Sequence, residues 1–222
     1  MSPVKRLPVV TAIALALAIL APGTVAAAGP DPVLLVHGYR GSPGTWADMA
    51  AYLRAQGREV YAIDLPGEDN VANAKAINSR LKSLGWRRVD IVGQSMGGLS
   101  ARWFAKYVKS PATVDAYVSI GTPQYGVSSA CLLPYTYGGQ MCPSSRFLAD
   151  LNRGDDTTGA ATFTTIYSTD DEYVSNSSSR LDGGACFVQV SGPAHNTMDN
   201  DATVMAHTAA ALDGACPGEL RS

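Results

Sequence analysis

Val89-Asp90-Ile91-Val92-Gly93-Gln94-Ser95-Met96-Gly97 runs from a mostly apolar stretch through a Gly-x-Ser-x-Gly turn into the helix-like residues 99–108. A strand, this turn and a helix, in that order, make a nucleophile elbow. The two glycines let backbone segments pack where a Cβ would clash, so the serine sits on a strained turn with its hydroxyl above the sheet. The bare pattern recurs in ordinary loops, and its place between a β-type and an α-type run is what gives it weight. Ser95 is the candidate nucleophile.

Working outward, residues 32–36, 60–63, 89–92, 114–120, 163–167 and 187–190 read as six short buried strands. Helix-like segments at 46–55, 71–84, 99–108 and 202–212 alternate with them. That alternation predicts an α/β fold, a mostly parallel sheet with helices on both faces. Open sheets of this type bind ligands beyond the carboxyl ends of their strands, where the notable polar residues of this chain fall.

The chain has 222 residues and a formal charge of -2. Lys5 and Arg6, an apolar stretch at 9–21 and the small residues Ala26-Ala27-Ala28 fit an export signal over 1–28, with cleavage near Ala28. The apolar stretch falls short of the roughly 20 residues that a spanning helix needs, so no transmembrane anchor is expected. Residues 29–222 are expected to form one exported catalytic domain, acting as a monomer. Losing Lys5 and Arg6 takes the charge from -2 to -4 and leaves no basic cluster, which argues against nucleic acid. Four cysteines, Cys131, Cys142, Cys186 and Cys216, make an even number in an exported chain and point to disulfides. Pairing Cys131 with Cys142 and Cys186 with Cys216 closes the most local loops. No metal motif such as Cys-x-x-Cys or His-Glu-x-x-His occurs, and no metal or cofactor is expected. Asp201, in Asp199-Asn200-Asp201, reads as the N-cap of the last helix rather than as a calcium ligand.

A serine hydroxyl is a poor nucleophile at neutral pH and needs a base, which in turn needs an acid to orient it. Of three histidines, His207 lies within the last helix and His37 on the turn after the first strand. His195 alone lies on a loop at the catalytic edge downstream of Ser95 and is the candidate base. The chain order serine, acid, histidine confines the acid to the segment between them. Strand five runs into Thr169-Asp170-Asp171-Glu172, and Asp182 follows, so spacing leaves the choice open. The oxyanion donors expected are the backbone N–H groups of Met96, after the nucleophile, and Tyr39, on the loop after the first strand.

With these residues placed, the chain resembles the α/β-hydrolase superfamily, in particular the small secreted bacterial class 2 lipases. The resemblance rests on Val33-Leu34-Leu35-Val36-His37-Gly38-Tyr39, on Val92-Gly93-Gln94-Ser95-Met96-Gly97-Gly98 with Ala101-Arg102, and on Ile166-Tyr167-Ser168-Thr169-Asp170-Asp171 leading to Val190-Ser191-Gly192-Pro193-Ala194-His195. It places the catalytic acid at Asp171 and the base at His195. It implies a secreted serine ester hydrolase acting on acylglycerols or other carboxylic esters, with little or no lid and weak interfacial activation. Polyester or cutin hydrolases, thioesterases and acyltransferases share the same triad; a non-catalytic binding protein is the rival from another class. Two departures stand out: Gln94 replaces the histidine that often precedes the serine, and the cysteine-bearing stretch 123–156 has no counterpart in the smallest relatives. That stretch carries Tyr125, Tyr135 and Tyr137; Tyr39 and Tyr125 are candidate substrate contacts, with the Cys131–Cys142 loop bordering the acyl site.

Overall fold

The computed structural model describes Met1 and residues 29–220, so the proposed leader lies outside the described residues apart from Met1. Strands β1 (Val33–Val36), β2 (Val60–Ile63), β3 (Arg88–Gln94), β4 (Thr113–Ile120), β5 (Thr162–Ser168), β6 (Cys186–Val190) and β7 (Glu219–Leu220) form one sheet in the order β2-β1-β3-β4-β5-β6-β7. The first six pair in parallel and β7 runs antiparallel to β6. This seventh strand lies beyond the six that periodicity predicts. Its two exposed residues carry no readable pattern.

Side-chain alternation shows why both faces need cover. On β1, Val33 and Leu35 enter one apolar cluster with Trp46, Met49, Leu53 and Val204, under α1 (Ala47–Ala55) and α6 (Ala202–Leu212). Leu34 and Val36 enter the other, with Ile77, Leu81, Ala101 and Phe104 from α2 (Asn70–Leu84) and α3 (Met96–Tyr107). A strand buried on both sides reads as the continuous run Val-Leu-Leu-Val, the mark of a parallel sheet. Helices α2 and α6 start at side-chain caps: Asp69 accepts from the Val71 and Ala72 amides, and Asp201 from those of Thr203 and Val204.

The sheet order places the chemistry. Between β1 and β3 the connections diverge to opposite sides, and ligands gather at such a switch point. Val36 pairs with Gly93, which sets the loop after β1 beside the turn after β3. The connection from β4 to β5 is long and carries α4 (Arg146–Leu151) with a separate apolar cluster in which Ala130, Met141, Phe147 and Leu148 pack on Met96 and Leu99. Arg102, buried in α3, anchors it by donating to Gln124 Oε1 (2.6 Å), the Leu151 carbonyl (3.2 Å) and Asn152 Oδ1. Disulfides join Cys131 to Cys142 within this connection and Cys186 to Cys216, which ties β6 to the segment leading into β7.

Candidate active site

Ser95 adopts φ 53° and ψ -128°, a conformation that costs a non-glycine residue about 1–3 kcal/mol. Its amide donates to the Ile120 carbonyl (2.9 Å) and its carbonyl accepts from the Gly98 amide (3.1 Å), so the turn is held from β4 and from α3. The glycines are required by contact. A Cβ on Gly93 would lie 2.6 Å from Gly98 Cα, and one on Gly97 would lie 2.3 Å from the carbonyl oxygens of Val36 and His37. The turn therefore passes closer to β1 and α3 than any side chain allows, and α3 begins at Met96, three residues before the predicted start.

Ser95 Oγ lies 2.9 Å from His195 Nε2, and His195 Nδ1 lies 2.7 Å from Asp171 Oδ2. The Asp171 side chain is fully buried and that of His195 is 7 % exposed. A carboxylate only accepts, so Nδ1 carries the proton and Nε2 is left to accept from the serine hydroxyl. The second Asp171 oxygen takes the Tyr173 (2.9 Å) and Val174 (2.8 Å) amides, which fixes the carboxylate plane. Tyr173 sets its ring edge against the imidazole, centroids 5.3 Å apart.

The acidic run after β5 is used residue by residue. Asp170 accepts from the Gly192 amide (2.7 Å), which together with Thr169 holds its carboxyl below the usual range. Asp171 takes the imidazole. Glu172 accepts from the His195 amide (3.0 Å), which likewise lowers its pKa. Asp182 is exposed, and its amide contacts Asp156. Gly121, which pattern reading passed over, leaves room for the pair: a Cβ there, at φ 54°, would sit 3.0 Å from Asp171 Oδ2 and 3.3 Å from His195 Nδ1. A glycine directly after the apolar run 114–120 is the available signal.

Tyr39 lies on a turn closed by the Gly41 amide on the Gly38 carbonyl (3.1 Å), with the Arg40 amide bound to the Glu68 carboxylate (3.1 Å). Met96 opens α3, where the first N–H groups have no partner within the helix. Both expected oxyanion donors thus lie beyond the adjacent ends of β1 and β3. His37 serves this loop instead: Nδ1 donates to the Gly38 carbonyl (3.0 Å) and Nε2 accepts from the Leu65 amide (3.1 Å). His207 remains in α6. Tyr137, inside the Cys131–Cys142 loop, meets the Tyr39 ring edge-on with centroids 5.9 Å apart. Tyr125 instead commits its hydroxyl to Asp156 (2.7 Å), and burial together with that carboxylate raises its pKa.

Asp199, on the 3-10 helix His195–Asn200, is 4 % exposed, and burial pushes its carboxyl up to about 6. At the amino ends of β1, β3 and β4 Asp31, Asp90 and Asp115 converge, but Arg58 binds Asp90 (2.8 Å) and Arg88 binds Asp31 (3.0 Å) and Asp115 (2.8 Å). The arginines there supply the countercharge.

Comparison with known proteins bears on the family and the fold. Over 109 residues the chain is 31% identical to a triacylglycerol lipase of Pseudarthrobacter phenanthrenivorans, covering 43% of this chain and 34% of that one. Over 120 residues it is 32% identical to a 2-hydroxy-6-oxononadienedioate/2-hydroxy-6-oxononatrienedioate hydrolase of Pseudomonas putida, covering 48% of this chain and 41% of that one. The matches thus span well under half the length of these curated relatives. Among solved structures, the mature form of the Bacillus licheniformis lipase BlEst2 superposes with a TM-score of 0.68 at 16% identity, over 81% of this chain and 91% of that one. A sheet with its elbow after β3, and a match to the alpha/beta hydrolase family model across residues 33–212, establish that the chain belongs to the α/β hydrolase family.

Proposed function

We propose that this chain is a secreted carboxylic ester hydrolase that cleaves acylglycerols, or related apolar esters, through an acyl-enzyme on Ser95. The unbroken chain Ser95 Oγ–His195 Nε2 and Nδ1–Asp171 Oδ2, at 2.9 and 2.7 Å, carries the reading. His195 Nε2 takes the Ser95 proton as Oγ attacks the ester carbonyl. The Tyr39 and Met96 amides hold the oxyanion, each worth about 3 kcal/mol of barrier. Collapse breaks the ester bond as Nε2–H protonates the leaving alcohol, and water activated by the same nitrogen then releases the acid. Asp171 keeps the tautomer and stabilises the imidazolium.

Three observations support an apolar acyl group. No charged residue occurs between Asp115 and Arg146, and the loop between the cysteines exposes Leu132, Tyr135 and Tyr137. Tyr137 also packs on Tyr39. An exposed apolar surface beside a catalytic edge fits a hydrophobic ligand. The leader pattern over 1–28 supports export, as do two disulfides.

The test is hydrolysis of p-nitrophenyl esters from two to sixteen carbons by residues 29–222, with Ser95→Ala alongside. Activity lost in the variant and an optimum at eight carbons or longer are expected. A short-chain optimum would replace acylglycerols with small esters or polyesters, and inactivity on every ester would sink the hydrolase reading.

A further inference from the structure

Resting on that reading, we propose that Gln94 and Glu172 are positioning residues that hold the backbone of His195 from opposite sides. His195 opens a 3-10 helix, so its N–H has no partner within that helix, and the preceding cap residue, Ala194, has no side chain able to supply one. Glu172 takes this N–H at 3.0 Å. On the other side of the residue, Gln94 Nε2 donates to the His195 carbonyl at 3.2 Å, spanning 101 residues of sequence. Both main-chain polar groups of the base are therefore tied to side chains from other loops.

The two tethers come from the neighbours of the groups that the imidazole itself bonds. Gln94 precedes Ser95, and Glu172 follows Asp171. Each segment thus grips His195 twice, once at the ring and once at the main chain, so a shift of the His195 loop cannot lengthen one bond without straining its neighbour. Asp170 adds a third tie at Gly192 on the same loop. Gln94 is buried, and its Oε1 lies over Gly38, where an added Cβ would approach to 2.3 Å. Glycine at the start of the oxyanion loop leaves room for this amide. A glutamine directly before the nucleophile and a third acid after Asp171 thereby acquire a shared task.

The test compares kcat, KM, melting temperature and the rate of Ser95 labelling by a fluorophosphonate for Glu172→Ala, Glu172→Gln and Gln94→Met. A base displaced by a fraction of an ångström to about 1 Å loses roughly tenfold to a hundredfold in rate. Glu172→Ala and Gln94→Met should each lower kcat and the labelling rate by about tenfold or more, with KM within about twofold. Glu172→Gln keeps an oxygen that accepts the His195 N–H and should recover kcat to within about threefold of wild type. The two Glu172 variants should melt within about 3 °C of wild type, because Glu172 is exposed and Glu172→Gln keeps the hydrogen bond, whereas Gln94→Met removes a buried bond and should lower the melting temperature by about 2–12 °C. The proposal fails if Glu172→Ala or Gln94→Met keeps kcat within twofold, if the loss lies in KM alone, or if Glu172→Gln is as impaired as Glu172→Ala. Wild-type activity and labelling are read first, so a failure of the hydrolase reading is seen separately.

Discussion

Replacing Asp171 by asparagine should cost about four orders of magnitude in kcat, and the hydrogen bonds at the site explain why so small a change is so severe. The Asp171 carboxylate accepts three bonds: the Tyr173 and Val174 amides on Oδ1 and His195 Nδ1–H on Oδ2. An asparagine has one accepting oxygen, which the two backbone donors claim. Its NH2 must then face His195 Nδ1 at about the same 2.7 Å, and two donors cannot meet there. The imidazole moves its proton to Nε2 and can no longer accept from Ser95. Loss of the correct tautomer costs about 10⁴ in turnover, or about 5.5 kcal/mol of barrier. Fold stability should change far less, since the side-chain shape and the two backbone bonds survive. Asp170→Asn is the matched control. Its oxygen can still accept from Gly192, so kcat should stay within about threefold. The assay is p-nitrophenyl butyrate hydrolysis at pH 8 with melting temperatures for both variants. More than a tenth of wild-type kcat in Asp171→Asn, or a collapse in Asp170→Asn, would refute this reasoning.

Other consequences concern stability and specificity. Ser95→Gly relieves a positive φ of 53° and should melt higher than the equally inactive Ser95→Ala, by about 0.5–2 kcal/mol; an equal or lower melting temperature would contradict the strain. Asp199 has a folded pKa of about 6 against 3.8, so its protonated form stabilises the fold, fully below about pH 4, and this contribution is lost as pH rises through about 6. Asp199→Asn should accordingly gain up to about 3 kcal/mol over wild type at pH 8 and nothing at pH 4, read by thermal melts; a pH-independent difference would count against it. With closed loops of separation 11 and 30, removing Cys131–Cys142 should cost about 2.8 kcal/mol and removing Cys186–Cys216 about 3.6 kcal/mol. Replacing the Cys131–Cys142 loop by a short Gly/Ser connector should shift acyl-chain preference toward shorter esters, whereas opening Cys186–Cys216 should leave it unchanged. An unshifted profile would remove the loop from the acyl site.

Periodicity could expose those parts of the fold in which one residue's neighbours in sequence share its fate. Val33 to Val36 read as a buried strand because both sheet faces are covered, and 202–212 matched α6 because its cap, Asp201, is local. The strand Glu219–Leu220 was illegible: it exists because the Cys186–Cys216 bond and pairing with Phe187 hold it, neither of which leaves a local pattern. The 3-10 turns at Pro43–Trp46 and Ser128–Leu132 are too short to carry a period. The site divides in the same way. Ser95 and the His195 loop announce themselves through local motifs and element order. Spacing leaves Asp170, Asp171, Glu172 and Asp182 open, because which acid faces His195 depends on how the chain turns after Ser168; the resemblance points to Asp171, and this carboxylate meets the imidazole. Gln94 reads in sequence only as a departure from the family pattern, since its partner lies 101 residues away and is a backbone carbonyl. Glu172 carries no local sign of its partner, since only the path of the chain through Ala194 brings the His195 amide to it.

The proposed activity requires a covalent intermediate at Ser95. The most direct measurement is mass-spectrometric mapping of residues 29–222 after brief treatment with a fluorophosphonate at pH 8, with His195→Ala in parallel. One adduct per chain, on the peptide bearing Gly93-Gln94-Ser95-Met96-Gly97 and formed at least about a thousandfold more slowly in the variant, is the predicted result. An adduct on another serine, or labelling of Ser95 at the same rate without His195, would contradict it.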